Sequence, residues 1–488
     1  MATAKEKPGV LFAAFEATPF LKTGGLGDVA GSLPRALKKK GFDVRVVLPK
    51  LAVIPEKYKK KMTYITHFYF PLGWRSAYCG IETYTYRGII YYFLDNESYF
   101  KRDGIYGYFD DGERVAYFSK AICEIIPYLE DFNCRILHCH DWHTSLAPVF
   151  LRECYSGNEL YDNIKTIFTV HNLKFQGQMS DFVLGDVLGL ENVPAAANQL
   201  RVDKDSINFM KGALVYSDII STVSPSYAQE IQNPFYGEHM ERIFQRRWDS
   251  LWGILNGIDT TFYNPEKDKA IEANYSKDKM KNKQKCKLAL QEEMGFEVNE
   301  TVPVIVMIGR LTQQKGLDLL TCVIDELADQ TLQLVILGTG DKEYEDMLKG
   351  AEGRHPKNLR VLLKFDEKLS HRLYSGGDIL LMPSLFEPCG LSQMIAMRYG
   401  TLPVVRETGG LRDSVKYYNE YTGEGTGFGF ANYNAHEMLF ALKDITSLFR
   451  SNPKVWRKLM KQAMSEDFSW DHAAGIYKEM YNTVLEEN

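Results

Sequence analysis

The chain has 488 residues, 45% hydrophobic and 25% charged, with a net charge of −5. That balance belongs to a globular protein of two large domains or three small ones. It supplies no counterion-release drive toward nucleic acid and no pull toward an anionic membrane, so neither is an expected partner.

The opening segment MATAKEKPGVLFAAFEATPF holds a short apolar run broken by Glu16, unlike a secretory signal. No stretch approaches the ~18 apolar residues of a membrane span. The eight cysteines form no CxxC pair, and Cys123 and Cys322 sit in apolar runs, where a thiol behaves as a small hydrophobe. A reducing compartment is expected: the cytoplasm, or the plastid stroma for a mature plant or algal form. Aromatics reach 13%, with 29 tyrosines. Sugar rings stack on such side chains, but most are expected in the core.

Short β-rich runs alternate with helical patterns from end to end, the signature of βαβ units and parallel sheets. In the first half the runs are Val10–Ala14, Val44–Leu48, Ile136–Cys139, Thr166–Val170 and Ile219–Val223. Ile81–Leu94 alternates around Arg87-Gly88 and reads as an inserted hairpin. In the second half they are Val304–Ile308, Leu334–Leu337, Arg360–Leu363, Ile379–Met382 and Leu402–Val405. Two glycines and a proline place a hinge around Ile254–Asn264. The expected organisation is an α/β chain with a Rossmann-like domain over 1–255, a second over 256–469, and a final helix in 470–488. The two sheets are expected to face each other across a cleft, with ligands at the C-terminal ends of the strands.

The first strand leads into Gly24, Gly25 and Gly27, which open a helix. Glycines let a ligand approach the backbone, and amides at a helix start suit phosphate, with Lys22 adding a charge. A tight turn without a ligand fits the same residues. A dinucleotide-binding dehydrogenase would carry an acidic residue at the end of the second strand, which here ends Val47-Leu48-Pro49-Lys50, and the glycine spacing is also wrong. Further on, LHCHDWHTSLAP packs His138, His140, Asp141 and His143 closely. His138 and His140 share one strand face, but no second histidine cluster exists to complete a metal site.

Lys22-Thr23-Gly24-Gly25-Leu26-Gly27-Asp28-Val29 resembles the K-[ST]-G-G-L-[AG]-D-V signature of bacterial glycogen synthases and plant starch synthases. The resemblance runs from Val10 to about Ala474. It implies the GT-B fold, retention of anomeric configuration, and ADP-glucose or UDP-glucose as donor to an α-1,4-glucan. The family's HDWH element matches at Asp141, implying a lining of the donor-glucose pocket, with the three histidines mostly structural. His171, at a strand end, matches the histidine that contacts the transferred glucose.

In the second half Arg310 and Lys315 match the family's R-x4-K element, and both flank a strand-to-helix loop where a diphosphate is met from two sides. Glu387 matches the catalytic-site glutamate. Where many relatives carry a second glutamate this chain has Ile395, as the glycogen and starch synthases do. The resemblance assigns Lys22, Gly24, Gly25, Asp28, Asn256, Cys389, Gly390, Leu391, Ser392, Gly409 and Gly410 to the donor. It assigns Glu16, Asn172 and Gln176 to the acceptor. The helix from Trp470 to Leu485 is expected to cross back onto the first domain. Asp203-Lys204-Asp205 spells a metal-binding pattern, but Ile207, Met210, Lys211 and Leu214 at helical spacing place it at a helix N-terminus. No metal and no cofactor are expected. The rival readings are another GT-B transferase, such as a sucrose or trehalose-phosphate synthase, and a catalytically dead glucan-binding protein.

Overall fold

The structure is a computed structural model that describes residues 7–486. The chain divides into two compact units. One holds the chain up to Val223, Ala228–Ile254 and the segment from Trp470 onward; the other holds Ser224–Tyr227 and Leu255–Ser469. The four residues Ser224–Tyr227 thus depart from the sequence boundary. Ser224 donates its hydroxyl to the Pro388 carbonyl at 2.6 Å, and Ser226 bonds Asp413, which fixes them to the second unit.

In the first unit the strands are β1 (Gly9–Ala13), β2 (Asp43–Pro49), β3 (Thr63–Leu72), β4 (Arg75–Tyr86), β5 (Ile89–Asp95), β6 (Cys134–His140) and β7 (Lys165–Val170). β8 (Gln178–Ser180) and β9 (Ser206–Asn208) form a separate small pair, and β10 (Ile219–Thr222) and β11 (Leu251–Gly253) complete the unit. The main sheet has nine strands in the order β11-β10-β7-β6-β1-β2-β5-β4-β3. Every residue of β1 is buried, as a continuous apolar run at the centre of a parallel sheet requires. The expected hairpin is present: Arg87 and Gly88 both take positive φ, the two-residue turn that matches strand twist. Its first strand begins earlier than the alternation suggested, and β3 adds a third antiparallel strand.

The second unit carries β12 (Val304–Ile308), β13 (Gln333–Leu337), β14 (Leu359–Leu362), β15 (Ile379–Met382), β16 (Leu402–Arg406) and β17 (Phe428–Phe430). They form one parallel sheet ordered β14-β13-β12-β15-β16-β17. The chain winds outward from β12 on one side, then returns to β15 and winds the other way. The reversal opens a crevice at the C-terminal ends of β12 and β15. The first sheet reverses in the same manner between β1 and β6. These two places are where the loops singled out in the sequence emerge.

The helix Trp470–Glu486 packs against the helix Gly25–Lys39 of the first unit. It buries Ala473, Ala474, Tyr477, Met480, Tyr481 and Val484, one face at helical spacing. The Asp203–Asp205 reading needs correction. Ile207 pairs with Met179 as a strand residue, so the aspartates form an exposed turn before β9, and the helix starts only at Phe209, capped by Asn208. Asp203 accepts the Asp205 N–H at 2.8 Å, a local turn bond.

The lysine-rich helix Lys281–Glu293 turns two of its cations inward. Lys283 donates to the carbonyls of Ser375 and Gly377 and to the Thr401 hydroxyl. Lys287 pairs with Asp378 at 2.7 Å, both largely buried, and Asp378 also accepts the Val304 N–H that starts β12. Asp378→Asn keeps an acceptor for Val304 but leaves the Lys287 ammonium without its counter-charge. Thermal or denaturant unfolding should show a loss of about 3–5 kcal/mol.

Candidate active site

The loop after β1 is organised by one acid. Glu16 is 2% exposed. Its carboxylate accepts the Thr23 N–H at 2.6 Å, the Thr23 hydroxyl at 2.5 Å and the Gly27 N–H at 3.0 Å. Burial raises its pKa, and these bonds pull it back down. The carboxylate therefore occupies the helix start where a bound anion was expected. Both oxygens are engaged within the chain, so Glu16 frames the glycine loop and does not present itself to an acceptor. Lys22 is paired with Asp28 at 2.8 Å, so its charge is directed back along the same loop. Gly24 and Gly25 are exposed, and a side chain at Gly24 would meet nothing within 4 Å.

At the end of β6, Asp141 takes φ 56° and ψ 177°, a conformation that costs a residue with a side chain about 1–3 kcal/mol. Its carboxylate accepts the backbone N–H of His171 at 2.7 Å and of Asn172 at 3.4 Å, which joins the loops after β6 and β7. Burial pushes its pKa up to about 7. The His171 ring meets His140 across a 2.9 Å nitrogen-to-nitrogen hydrogen bond, and burial lowers the pKa of His171 to about 3, so the ring is neutral.

The other histidines are packing groups. His138 bonds Tyr481 and Thr169, and His143 packs against both Phe15 and Tyr106. Among the described residues no group of three His, Cys, Asp or Glu side chains could hold a metal ion.

Gln176 and Asn172 also make bonds within the chain. Gln176 is buried, accepting from Asn208 at 2.6 Å and donating to the Glu238 carbonyl at 2.9 Å, so its amide braces the interior. The Asn172 side chain accepts the Lys174 N–H and shapes its own turn. The sequence reading missed Tyr106. It stacks on Phe15 and His143, and its hydroxyl lies beside Thr23 and Glu16. The available signal was its glycine-flanked loop just past a strand and short helix.

In the second unit Gly316 has φ +75°, and a Cβ there would lie 2.1 Å from the Pro383 carbonyl oxygen. Only glycine lets the β12 loop approach the β15 loop so closely. That approach brings Lys315 Nζ to 2.5 Å from Glu387 Oε2, and the Ser384 hydroxyl donates to the same oxygen at 3.1 Å. The Arg406 guanidinium donates to the carbonyls of Ser384 and Leu385, and the Leu385 N–H to the Gln314 carbonyl.

The Gly410 N–H is spent on the Glu387 carbonyl at 3.0 Å, so this amide ties two loops together and is not open to a phosphate. Gly409 starts the next helix beside it. Asn256 hydrogen-bonds the Cys389 thiol, whose pKa burial raises to about 12. Among the described residues the Leu391 and Ser392 amides have no acceptor, and the guanidinium of the exposed Arg310 has no hydrogen-bond or ion-pair partner. Lys315, Glu387, Gly390, Leu391 and Ser392 line a pocket of about 90 Å³ at the sheet's reversal.

A family model described as starch synthase catalytic domain matches residues 9–246, and one described as glycosyl transferases group 1 matches residues 291–458. A glycogen synthase from Geobacillus thermodenitrificans is 48% identical over 98% of both chains. One from Clostridium acetobutylicum is 48% identical over 98% of this chain and all of its own. The catalytic domain of starch synthase IV from Arabidopsis thaliana, solved with ADP and acarbose, superposes with a TM-score of 0.90 at 32% identity, over 99% of this chain and 100% of that one. A sucrose-phosphate synthase from Thermosynechococcus elongatus shares the fold alone, at TM-score 0.60 and 16% identity.

Two parallel-sheet units with polar loops at both reversals define a glycosyltransferase of the GT-B class. The chain belongs to the glycogen and starch synthase family.

Asp141 holds its proton up to about 7 when folded, against a reference value of 3.8. The folded state thus binds the extra proton between these values, and this group's contribution to stability falls as pH rises through that window. Asp141→Asn copies the protonated form. Its advantage in Tm over the parent should be smallest near pH 4, grow to a few degrees by pH 7 and level off above it, with activity lost throughout.

Proposed function

We propose that the chain is a retaining α-1,4-glucan synthase that transfers glucose from ADP-glucose, with UDP-glucose as the alternative donor, to the non-reducing end of a glucan. The observation that carries this reading is the Lys315–Glu387 contact in the pocket at the β12/β15 reversal, beside the uncommitted Leu391 and Ser392 amides. Family membership supplies the substrate class, and the ADP in the starch synthase relative favours the adenine nucleotide.

The donor diphosphate lies against the second unit. Arg310 supplies an unpaired cation, and the amides of Leu391 and Ser392 supply neutral donors. Lys315 serves two anions in turn. Without substrate it neutralises Glu387; as the glycosidic bond breaks it also meets the charge growing on the departing diphosphate. In the first unit the neutral His171 ring hydrogen-bonds a hydroxyl of the transferred glucose, and Asp141 fixes the backbone that carries this histidine. Lys22, Gly25 and Asp28 border the same sugar, and Asn256 with Cys389 shapes the floor of the donor pocket.

Incubation with each nucleotide sugar and maltotriose should lengthen the oligosaccharide. Transfer to fructose or glucose 6-phosphate in place of maltotriose would sink the reading. Glu387→Gln should keep the fold and lower kcat at least ~100-fold, within the range of losing one electrostatic contact. Arg310→Ala and Lys315→Ala should lower kcat more than they raise the KM for glucan, because their contacts strengthen in the transition state. Fixed cations do the neutralising, so excess EDTA should leave the initial rate nearly unchanged. A rate that EDTA abolished and Mg²⁺ or Mn²⁺ restored would overturn that part of the mechanism.

A further inference from the structure

The turn that carries Lys315 is held from outside at two adjacent carbonyls. The Leu385 N–H, from the loop after β15, bonds the Gln314 carbonyl at 2.9 Å. The Gln313 carbonyl accepts the Gly316 N–H at 2.8 Å, which closes the turn, and it lies 3.3 Å from the hydroxyl of Tyr433. Tyr433 belongs to the loop after β17, 120 residues further along the chain.

That loop is itself fixed. The Asn434 side chain caps the helix Ala435–Ser451 by accepting the His436 and Glu437 amides. The Glu437 carboxylate accepts the Ala431 and Asn432 amides in return. Tyr433 is the residue between these two anchors, and the helix it precedes packs on the helix Leu317–Ala328 that follows Lys315. Burial and the adjacent Asp318 carboxylate raise the pKa of Tyr433, so its phenol keeps the proton and donates. The hydroxyl bonds Asp318 Oδ1 while it faces the Gln313 carbonyl. The Arg406 guanidinium carbon lies 5.7 Å from the centroid of the Tyr433 ring.

These contacts close a circuit. Arg406 holds the Leu385 carbonyl, Leu385 holds Gln314, Tyr433 holds Gln313, and the Tyr433 ring returns to Arg406. Lys315 follows directly on the two pinned residues. Asp318 supplies a second argument. It stands three residues after Lys315, a spacing at which a carboxylate can draw an ammonium to itself. The Tyr433 hydroxyl occupies that carboxylate, and Lys315 pairs with Glu387 instead.

We propose that Tyr433 is a positioning residue for glucosyl transfer, whose hydroxyl fixes the Gln313–Lys315 turn and so sets the Lys315 ammonium against Glu387. It stands outside the lining of the pocket, so it acts through Lys315 and touches no reacting atom. The inference rests on the glucan-synthase reading above, in which Lys315 meets the departing diphosphate.

The test is a double-mutant cycle of Tyr433→Phe and Lys315→Ala in the full chain, read by kcat, by the KM for maltotriose and by the Kd of ADP and UDP. Tyr433→Phe removes the hydroxyl and keeps the ring beside Arg406. Alone it should lower kcat at least about fivefold, the scale of a small misplacement of a reacting group, with the KM for maltotriose within about twofold. In the Lys315→Ala background it should change kcat by less than about twofold, because the group it positions is gone. The nucleotide Kd should likewise rise only where Lys315 is present. A general loss of stability acts in both backgrounds, so an equal effect in the two would overturn the proposal. A Tyr433→Phe protein within about twofold of the parent in both kcat and nucleotide Kd would also overturn it. If the parent binds nucleotide but lengthens no maltotriose, the synthase reading fails and the Kd cycle alone decides the role of Tyr433. A parent that does neither overturns both.

Discussion

The Glu387 carboxylate is 6% exposed, and the Lys315 ammonium in contact with it offsets the cost of burying that charge. The buried anion and its cation are thus paired within the chain. The positions of both residues depend on a single steric fact. The αL turn at Gly316 leaves no room for a Cβ against Pro383, so two loops from different strands meet at hydrogen-bond distance. Arg406 then secures the far loop by its carbonyls, and Gly410 secures it by its amide.

The first unit applies a different solution to the same problem of buried charge. Among the described residues Glu16 and Asp141 form no ion pair with a lysine. Glu16 and Asp141 are stabilised by backbone N–H groups instead, and burial raises the pKa of both. This arrangement uses each acid as a joint. Glu16 holds the glycine loop around itself, and Asp141 ties the loop after β6 to the loop after β7 at the cost of a strained backbone. The histidines beside them are kept neutral by burial.

Much of this was legible in the residue order. All ten parallel-strand runs appear within a few residues of their expected places, because strands buried on both faces must be continuously apolar. The long Lys22–Val29 signature and the R-x4-K spacing identified the family. The short elements were less legible. β8 and β9 have three residues each, too few for a period to show, so Ile207 was taken for a helix residue and Asp203–Asp205 for its start. Tyr106 was hidden because nothing in a glycine-flanked loop says which way the ring will face.

The sequence by itself determined the class of fold, the family and the chemical types gathered at the strand ends, since these depend on periodicity and on residues at fixed spacing. Only the tertiary structure decided what each group is occupied with. Glu16 and Gln176 look like open polar groups in the sequence, yet one frames a helix start and the other braces two interior segments. Gly410 looks like a phosphate donor, yet its amide holds the Glu387 carbonyl. The physical reason is that a hydrogen-bonding group satisfied by a partner elsewhere in the chain is no longer available to a ligand, and such partners are set by loop conformation, strand order and loop approach, which no local pattern encodes.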